Sequence, residues 1–229
     1  SSTIISFYDK YKNKNQKLFS YTAQYSHIDS SVKRLIDERD FQKEINNNKS
    51  INERDFETID LSTLSNLDRY LSLIGQPFFF PHLYLIDEGF RLASLDNVEK
   101  VFSGADGDTV ISHGFEYFVE LFLRFRWIKL FKEISETAKV LSKSRRFIFK
   151  RAVIGQIFYD KKIYFSAKKQ HKAVLSAPIH SNAIEIKSLI ADYHGVSQVH
   201  PFYDMNLINY CTNVRPDLKI NGFPRYILR

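Results

Sequence analysis

Residues 98–108 constrain this chain more than any other stretch: Val98-Glu99-Lys100-Val101-Phe102-Ser103-Gly104-Ala105-Asp106-Gly107-Asp108. An apolar run with two charges in it empties into a loop of two glycines and two carboxylates. That is a strand edge turning into a tight acidic loop. Glycine lets the backbone approach a ligand closely, and its N–H groups meet phosphate oxygens. Carboxylates beside a phosphate suit Mg2+, which takes one or two protein oxygens and completes its shell with phosphate and water. Asp and Gly are also the commonest turn formers, so the loop alone leaves an ordinary turn open.

The stretches on either side set the fold class. Ser1 and Ser2 are good helix N-caps, and Ile4, Ile5, Tyr8 and Tyr11 follow them on a helical stripe. Residues 18–25, rich in aromatic and β-branched side chains, read as a strand. Residues 32–45 read as a helix, 56–59 as a short strand, 62–73 as a helix stopped by Gly75-Gln76-Pro77, and 83–93 as another helix. With the strand at 98–102, this alternation predicts one parallel sheet with covering helices, holding residues 18–23 and 98–102 together. After Gly114 the pattern becomes helical: one long element over 115–141, then 145–159, 183–193, 206–213 and 224 onward. The expected fold is α/β, a parallel sheet with flanking helices followed by a mostly helical C-terminal half. One domain over 1–229 is expected, with an α/β nucleotide-binding part at 1–114 and a helical part at 115–229.

Composition narrows the class. The 229 residues suffice for a sizeable core. No run of 18 apolar residues occurs, so no transmembrane helix is expected. The single cysteine, Cys211, has no internal disulfide partner, which suits a reducing cytoplasm. It sits in an apolar-periodic stretch and reads as a packed thiol. The net charge of +7 is uneven: residues 124–172 hold fifteen Lys/Arg and three Asp/Glu, a local +12 that leaves −5 for the remainder. Such a segment attracts nucleic acid, anionic lipid or an acidic peptide, or simply solvates a helix face. Of these an acidic peptide is the expected partner and nucleic acid is not.

Several motifs, in order along the chain, resemble the asparagine synthetase family. Ser103-Gly104-Ala105-Asp106-Gly107-Asp108 looks like the Ser-Gly-x-x-x-Asp loop of its synthetase domain, the ATP-pyrophosphatase unit. His200-Pro201-Phe202-Tyr203-Asp204 resembles its Pro-Phe-x-Asp segment. Leu218-Lys219 with Arg225-Tyr226-Ile227-Leu228-Arg229 resembles its Leu-Lys…Tyr-Ile-Leu-Arg ending, and Asp37-Glu38-Arg39 its Asp-Glu after the second strand. Ser1-Ser2 and the apolar helix behind them resemble the end of the pyrophosphate loop Ser-Gly-Gly-x-Asp-Ser-Ser. The resemblance therefore implies a domain cut just after that loop's Asp, lacking a central strand and inactive by itself. The Asp-Gly-Asp variant followed by Ser112-His113-Gly114 is closest in style to asparagine-synthase-related proteins, lasso-peptide cyclases among them.

What the resemblance implies is an adenine-nucleotide alpha-hydrolase-like fold and an ATP-dependent amide ligase. A carboxylate, aspartate or a peptide side chain, is adenylated with release of pyrophosphate, and an amine donor then attacks. Ser1 and Ser2 would donate to pyrophosphate, and Ser103 and Gly104 would contact adenosine. Tyr21 would line the adenine pocket, and Asp108 would ligate Mg2+. Arg225 falls where the family carries a lysine that stabilises phosphate charge, a role that arginine keeps. Ala105 stands at the family's amine-transfer glutamate, and Asp106 is the neighbouring carboxylate available for that step. A peptide cyclase and a nucleotide-binding relative that has lost catalysis are the competing readings. His113 is open to a general-base or a packing role, Asp204 reads as a helix-end residue, and Trp127 reads as core. His171, His180 and His194 show no metal-ligand spacing with Cys211.

Overall fold

The structure, a computed structural model, describes residues 2–13, 16–24, 51–58, 61–62, 64–78, 80–159 and 164–228. It divides into two compact units: residues 1–103 with 182–201, and residues 104–181 with 202–229.

The first unit holds the strands. β1 (Leu18–Gln24) and β2 (Ile51–Glu57) pair in parallel from Leu18↔Ile51 to Gln24↔Glu57. β3 (Lys100–Phe102) pairs in parallel with β4 (Ser197–Val199). The helices are α1 (Ser2–Tyr11), α2 (Leu67–Ile74) and α3 (Leu83–Leu95), joined by the part of Pro178–Tyr193 beyond residue 181. The apolar stripes of α2, α3 and that last helix meet in a core of Tyr70, Leu83, Phe90, Ala93, Ile186 and Ile190, with Tyr21, Val98 and Val101 packed against it. Near this core Asp87 is buried and fully engaged. It accepts from Tyr70 Oη at 2.9 Å, meets His194 Nε2 at 2.7 Å and ion-pairs with Arg69.

Fold class is as the pattern predicts, α/β with parallel strands and a mostly helical C-terminal half. The single sheet is not. Among the described residues, 18–24 and 100–102 lie in separate two-stranded sheets. The partner of β3 is a three-residue strand, Ser-Gln-Val, too short to carry a period-two signal. β2 starts at Ile51 rather than 56. Four of its seven residues are exposed polar side chains in one run, so it shows no alternation. The helix expected at 32–45 lies outside the described residues.

The second unit is helical. In chain order it contains α4 (Gly107–Ile111), α5 (Glu116–Leu123), α6 (Trp127–Val140) and α7 (Arg145–Phe149). A π-helical turn, Lys150–Ile154, leads into α8 (Gly155–Tyr159), and α9 is Ala167–Leu175. α10 (Pro178–Tyr193) begins here. α11 (Met205–Asn213) and α12 (Asp217–Ile220) complete the unit. Its core gathers Phe118, Leu121, Leu130, Ile134, Val153 and Ile220. The expected single helix over 115–141 is broken at Arg124-Phe125-Arg126, where Phe125 takes φ 56°. Residues 224 onward give only the short 3-10 turn Tyr226–Leu228. Asp204 caps α11, its carboxylate accepting from the N–H groups of Asn206 and Leu207 at 2.9 and 3.0 Å. Cys211 is buried, and burial pushes its thiol pKa up. Among the described residues no helix is long and apolar enough to cross a membrane.

Candidate active site

β3 delivers the chain to the acidic loop. The Ser103 N–H still donates to Val199 at 2.9 Å, as the last rung of the ladder. The loop then turns into α4 at Asp106, which sits in the left-handed region at φ 58°. The Asp106 carbonyl accepts from Thr109 and Val110, so its backbone starts the helix. Its carboxylate accepts from Tyr203 Oη at 2.9 Å and meets His180 Nδ1 at 3.2 Å. Burial, and then the bond to Asp106, raise the Tyr203 pKa. Gly107 follows for a steric reason: a Cβ there would lie 2.9 Å from the Phe202 ring.

Two residues after Asp106, the Asp108 side chain is exposed. Arg225 grips it with both terminal nitrogens, NH1 to Oδ1 and NH2 to Oδ2, each at 2.9 Å. The Arg225 Nε donates to His113 Nδ1 at 3.2 Å, which puts the neutral ring's proton on Nε2. His113 stacks on Phe115 with centroids 5.8 Å apart. Its pKa is lowered, first by burial and then by the Arg225 charge. Arg225 itself has φ 58°, in the left-handed region that few residues other than glycine adopt.

Two devices fix the loop from below. Ser112 Oγ donates to Glu116 at 2.7 Å and accepts from the Gly114 N–H at 2.8 Å. Gly114, at φ 82°, lies so close to α12 that a Cβ would come within 2.7 Å of the Ile220 Cβ. Beneath α4, the buried His171 donates from Nε2 to the Thr109 carbonyl at 2.8 Å. It accepts from the buried Lys219 ammonium at Nδ1, at 2.9 Å. Burial pushes the Lys219 pKa down, with Glu116 pulling it back up. Burial and the Lys219 charge push that of His171 down.

In the first unit a hollow of about 480 Å3 is lined by Ile4, Ile5 and Tyr8 of α1, by β1 from Leu18 to Tyr21, by Phe90, and by Val101 to Ser103. Tyr21 lines it with its ring stacked on Phe19 at 6.3 Å. Its hydroxyl donates to Asp96 at 3.1 Å, and Arg54 holds the same carboxylate.

The sequence candidates thus fall into groups. Tyr21 and Ser103 share the hollow. Asp106, Asp108 and Arg225 belong to the second unit, where Arg225 and Asp108 meet directly. Gly104 accepts from the Gly107 N–H at 3.4 Å. Ser2 opens α1, and Ser1 lies outside the described residues. Among the described residues no three His, Cys, Asp or Glu side chains are grouped to hold a metal. Sequence reasoning missed Tyr203 and His180 as partners of Asp106, and the pairing of Lys219 with His171. Only the order of the family-like segments hinted that 203, 219 and 225 would return to the loop. Trp127, read as core, is 46 % exposed; it is the first residue of α6, and its ring packs on Phe122 and Phe125.

Neither the curated proteins nor the solved structures contain a significant match to the chain. The family model described as asparagine synthase matches residues 1–229.

Proposed function

Because the chain belongs to the asparagine synthase family, a family of ATP-dependent amide ligases, we propose that it is the synthetase domain of a ligase acting on a carboxylate other than free aspartate. The reaction has two steps. The carboxylate attacks the α-phosphorus of ATP, forming an acyl-adenylate and releasing pyrophosphate. An amine then attacks the acyl carbon, the amide forms, and AMP leaves with the electron pair of the broken C–O bond.

The observation that carries this reading is the bidentate contact of Arg225 with Asp108, which joins the acidic loop to the chain's last segment. A guanidinium held beside an acidic loop is placed to neutralise charge on phosphate. Ser1, Ser2, Tyr21, Ser103 and Gly104 are the nucleotide-binding residues in this account. Asp108 is the metal ligand. Its side chain is exposed, as suits a carboxylate that Mg2+ combines with phosphate oxygens and water, but Arg225 holds both its oxygens, so the guanidinium would have to release it to the ion. Bound Mg2+ would supply charge neutralisation at the phosphates.

Ala105 removes the family's glutamate, and the cluster Asp106–His180–Tyr203 takes its place. Asp106 orients His180 through Nδ1 and balances the imidazolium that forms when His180 takes the amine proton. A peptide side-chain carboxylate is the substrate, and the basic segment 124–172 holds the acidic peptide that carries it, with Arg145 and Arg146 at its densest part. A single cysteine with no internal disulfide partner suits a reducing cytoplasm, the compartment this reading assigns to the reaction.

Substituting Arg145 and Arg146 by glutamate tests the substrate assignment. The variant should bind an acidic peptide at least about tenfold more weakly at low salt, while ATP affinity stays unchanged. Conversion of aspartate to asparagine by the full-length protein at about 1 per second or faster would overturn it.

A further inference from the structure

Phe125 is a large apolar residue in a position built for glycine. Its N–H donates to the Phe122 carbonyl at 3.1 Å, and the Arg126 N–H donates to the Leu121 carbonyl at 2.9 Å. Those two bonds end a helix with its next residue left-handed, and Phe125 takes that place at φ 56°. Glycine would hold this backbone without steric cost. The phenylalanine gains little burial in return, since it is 78 % exposed.

Its neighbours share the pattern. Ile128 is 92 % exposed and Phe131 53 %, and Trp127 stacks on Phe125 with centroids 6.4 Å apart. Phe122 and Phe149 back the cluster from α5 and α7. The result is an apolar tip at the corner of a helical hairpin. Isolated apolar residues on a surface are ordinary, but a contiguous aromatic group marks an interaction site. Arg124, Arg126, Lys129 and Lys132 surround the tip, all exposed, and residues 121–132 contain no carboxylate. Of the two acidic residues that flank this stretch, Glu133 is buried and accepts from the Gly222 N–H, and Glu120 accepts from the Ala167 N–H. Arg124 reaches Glu120 at 3.4 Å and Lys129 reaches Asp217 at 4.0 Å, while Arg126 and Lys132 form no ion pair among the described residues.

We propose that the α5–α6 corner is a membrane-surface anchor, with Phe125, Trp127 and Ile128 entering the interfacial layer of an anionic bilayer. The exposed Arg and Lys side chains around them meet lipid phosphates. Aromatic and aliphatic side chains ringed by cations partition into that layer, and each cation near an anionic surface adds to the attraction. At this 124–132 end of the basic segment the exposed apolar side chains among the cations favour a lipid surface, whereas the acidic peptide is assigned to the end that carries Arg145 and Arg146. The inference does not depend on the catalytic reading.

Trp127 is the chain's single tryptophan, so its emission reports on the corner alone. The purified protein is titrated with phosphatidylglycerol-containing vesicles and, separately, with phosphatidylcholine vesicles. The expected result is a blue shift with the anionic vesicles, quenched by brominated acyl chains and weakened by salt. Phe125→Gly should leave the thermal midpoint unchanged or higher, yet weaken vesicle binding by about tenfold through loss of the ring. Ile128→Ser should weaken it similarly. Unchanged Trp127 emission with anionic vesicles would overturn the proposal. So would undiminished binding by Phe125→Gly, or a blue shift produced by polyglutamate and not by vesicles.

Discussion

Arg225 closes on both carboxylate oxygens of Asp108, a residue 117 positions earlier, and on the His113 ring through Nε. A loop that reads as a turn in isolation is thereby tied to the end of the chain. The guanidinium is one cause of the lowered His113 pKa. Replacing Arg225 by Gln removes that positive charge and leaves Asp108, whose charge acts in the opposite direction. The His113 pKa should therefore rise, as followed by NMR titration of its ring protons. An unchanged or lower value would show that the contact is not formed in solution.

Stability should fall on the acid side. His113 and His171 both have folded pKa values below the ordinary histidine value. The unfolded chain binds more protons between the folded pKa and about 6.5, so stability rises with pH across that window and is lost as pH falls through it. Urea unfolding at a series of pH values reads this slope. His171→Gln should flatten it, because the other ring, His113, is more exposed.

Asp87 should be costly to truncate. Its carboxylate satisfies Tyr70, His194 and Arg69 in a largely buried setting. Asp87→Ala leaves these groups facing each other without the acceptor, at a cost of about 3 kcal/mol. Asp87→Asn, which keeps one acceptor, should cost less. A loss under about 1 kcal/mol in denaturant unfolding of the alanine variant would show that water reaches these groups.

Gly114→Ala should destabilise by about 2 kcal/mol, through both the left-handed backbone and the clash with Ile220. Gly195→Ala is the control. It shares the positive φ, at 70°, but has open space around the added Cβ, and should cost only about 1 kcal/mol. Equal losses would mean that α12 gives way to the added methyl.

Much of the fold was legible where one physical signal dominates. The stripe Ile4, Ile5, Tyr8 gave α1, and the strand at 18 and the helix at 83 stood out by side-chain type. β2 and β4 were concealed because one is polar and edge-exposed and the other is three residues long. The break at Phe125 ran against local preference, since nothing in a Phe marks a left-handed turn. The acidic loop was visible as a loop. Its partners Tyr203 and His180, and the Lys219–His171 pair beneath it, were not, because each contact spans 48 or more residues and no local period encodes it. The resemblance located Arg225, while its grip on Asp108 emerges only in the folded structure.

Adenylation is the central claim, and exchange of labelled pyrophosphate into ATP by the full-length protein tests it most directly. Free aspartate and a peptide bearing an aspartate side chain are supplied as alternative carboxylates. The account predicts exchange that requires the peptide and falls about 10²-fold in Asp108→Asn, which removes an anionic ligand from the metal. Exchange without any carboxylate, or exchange undiminished in Asp108→Asn, would contradict it.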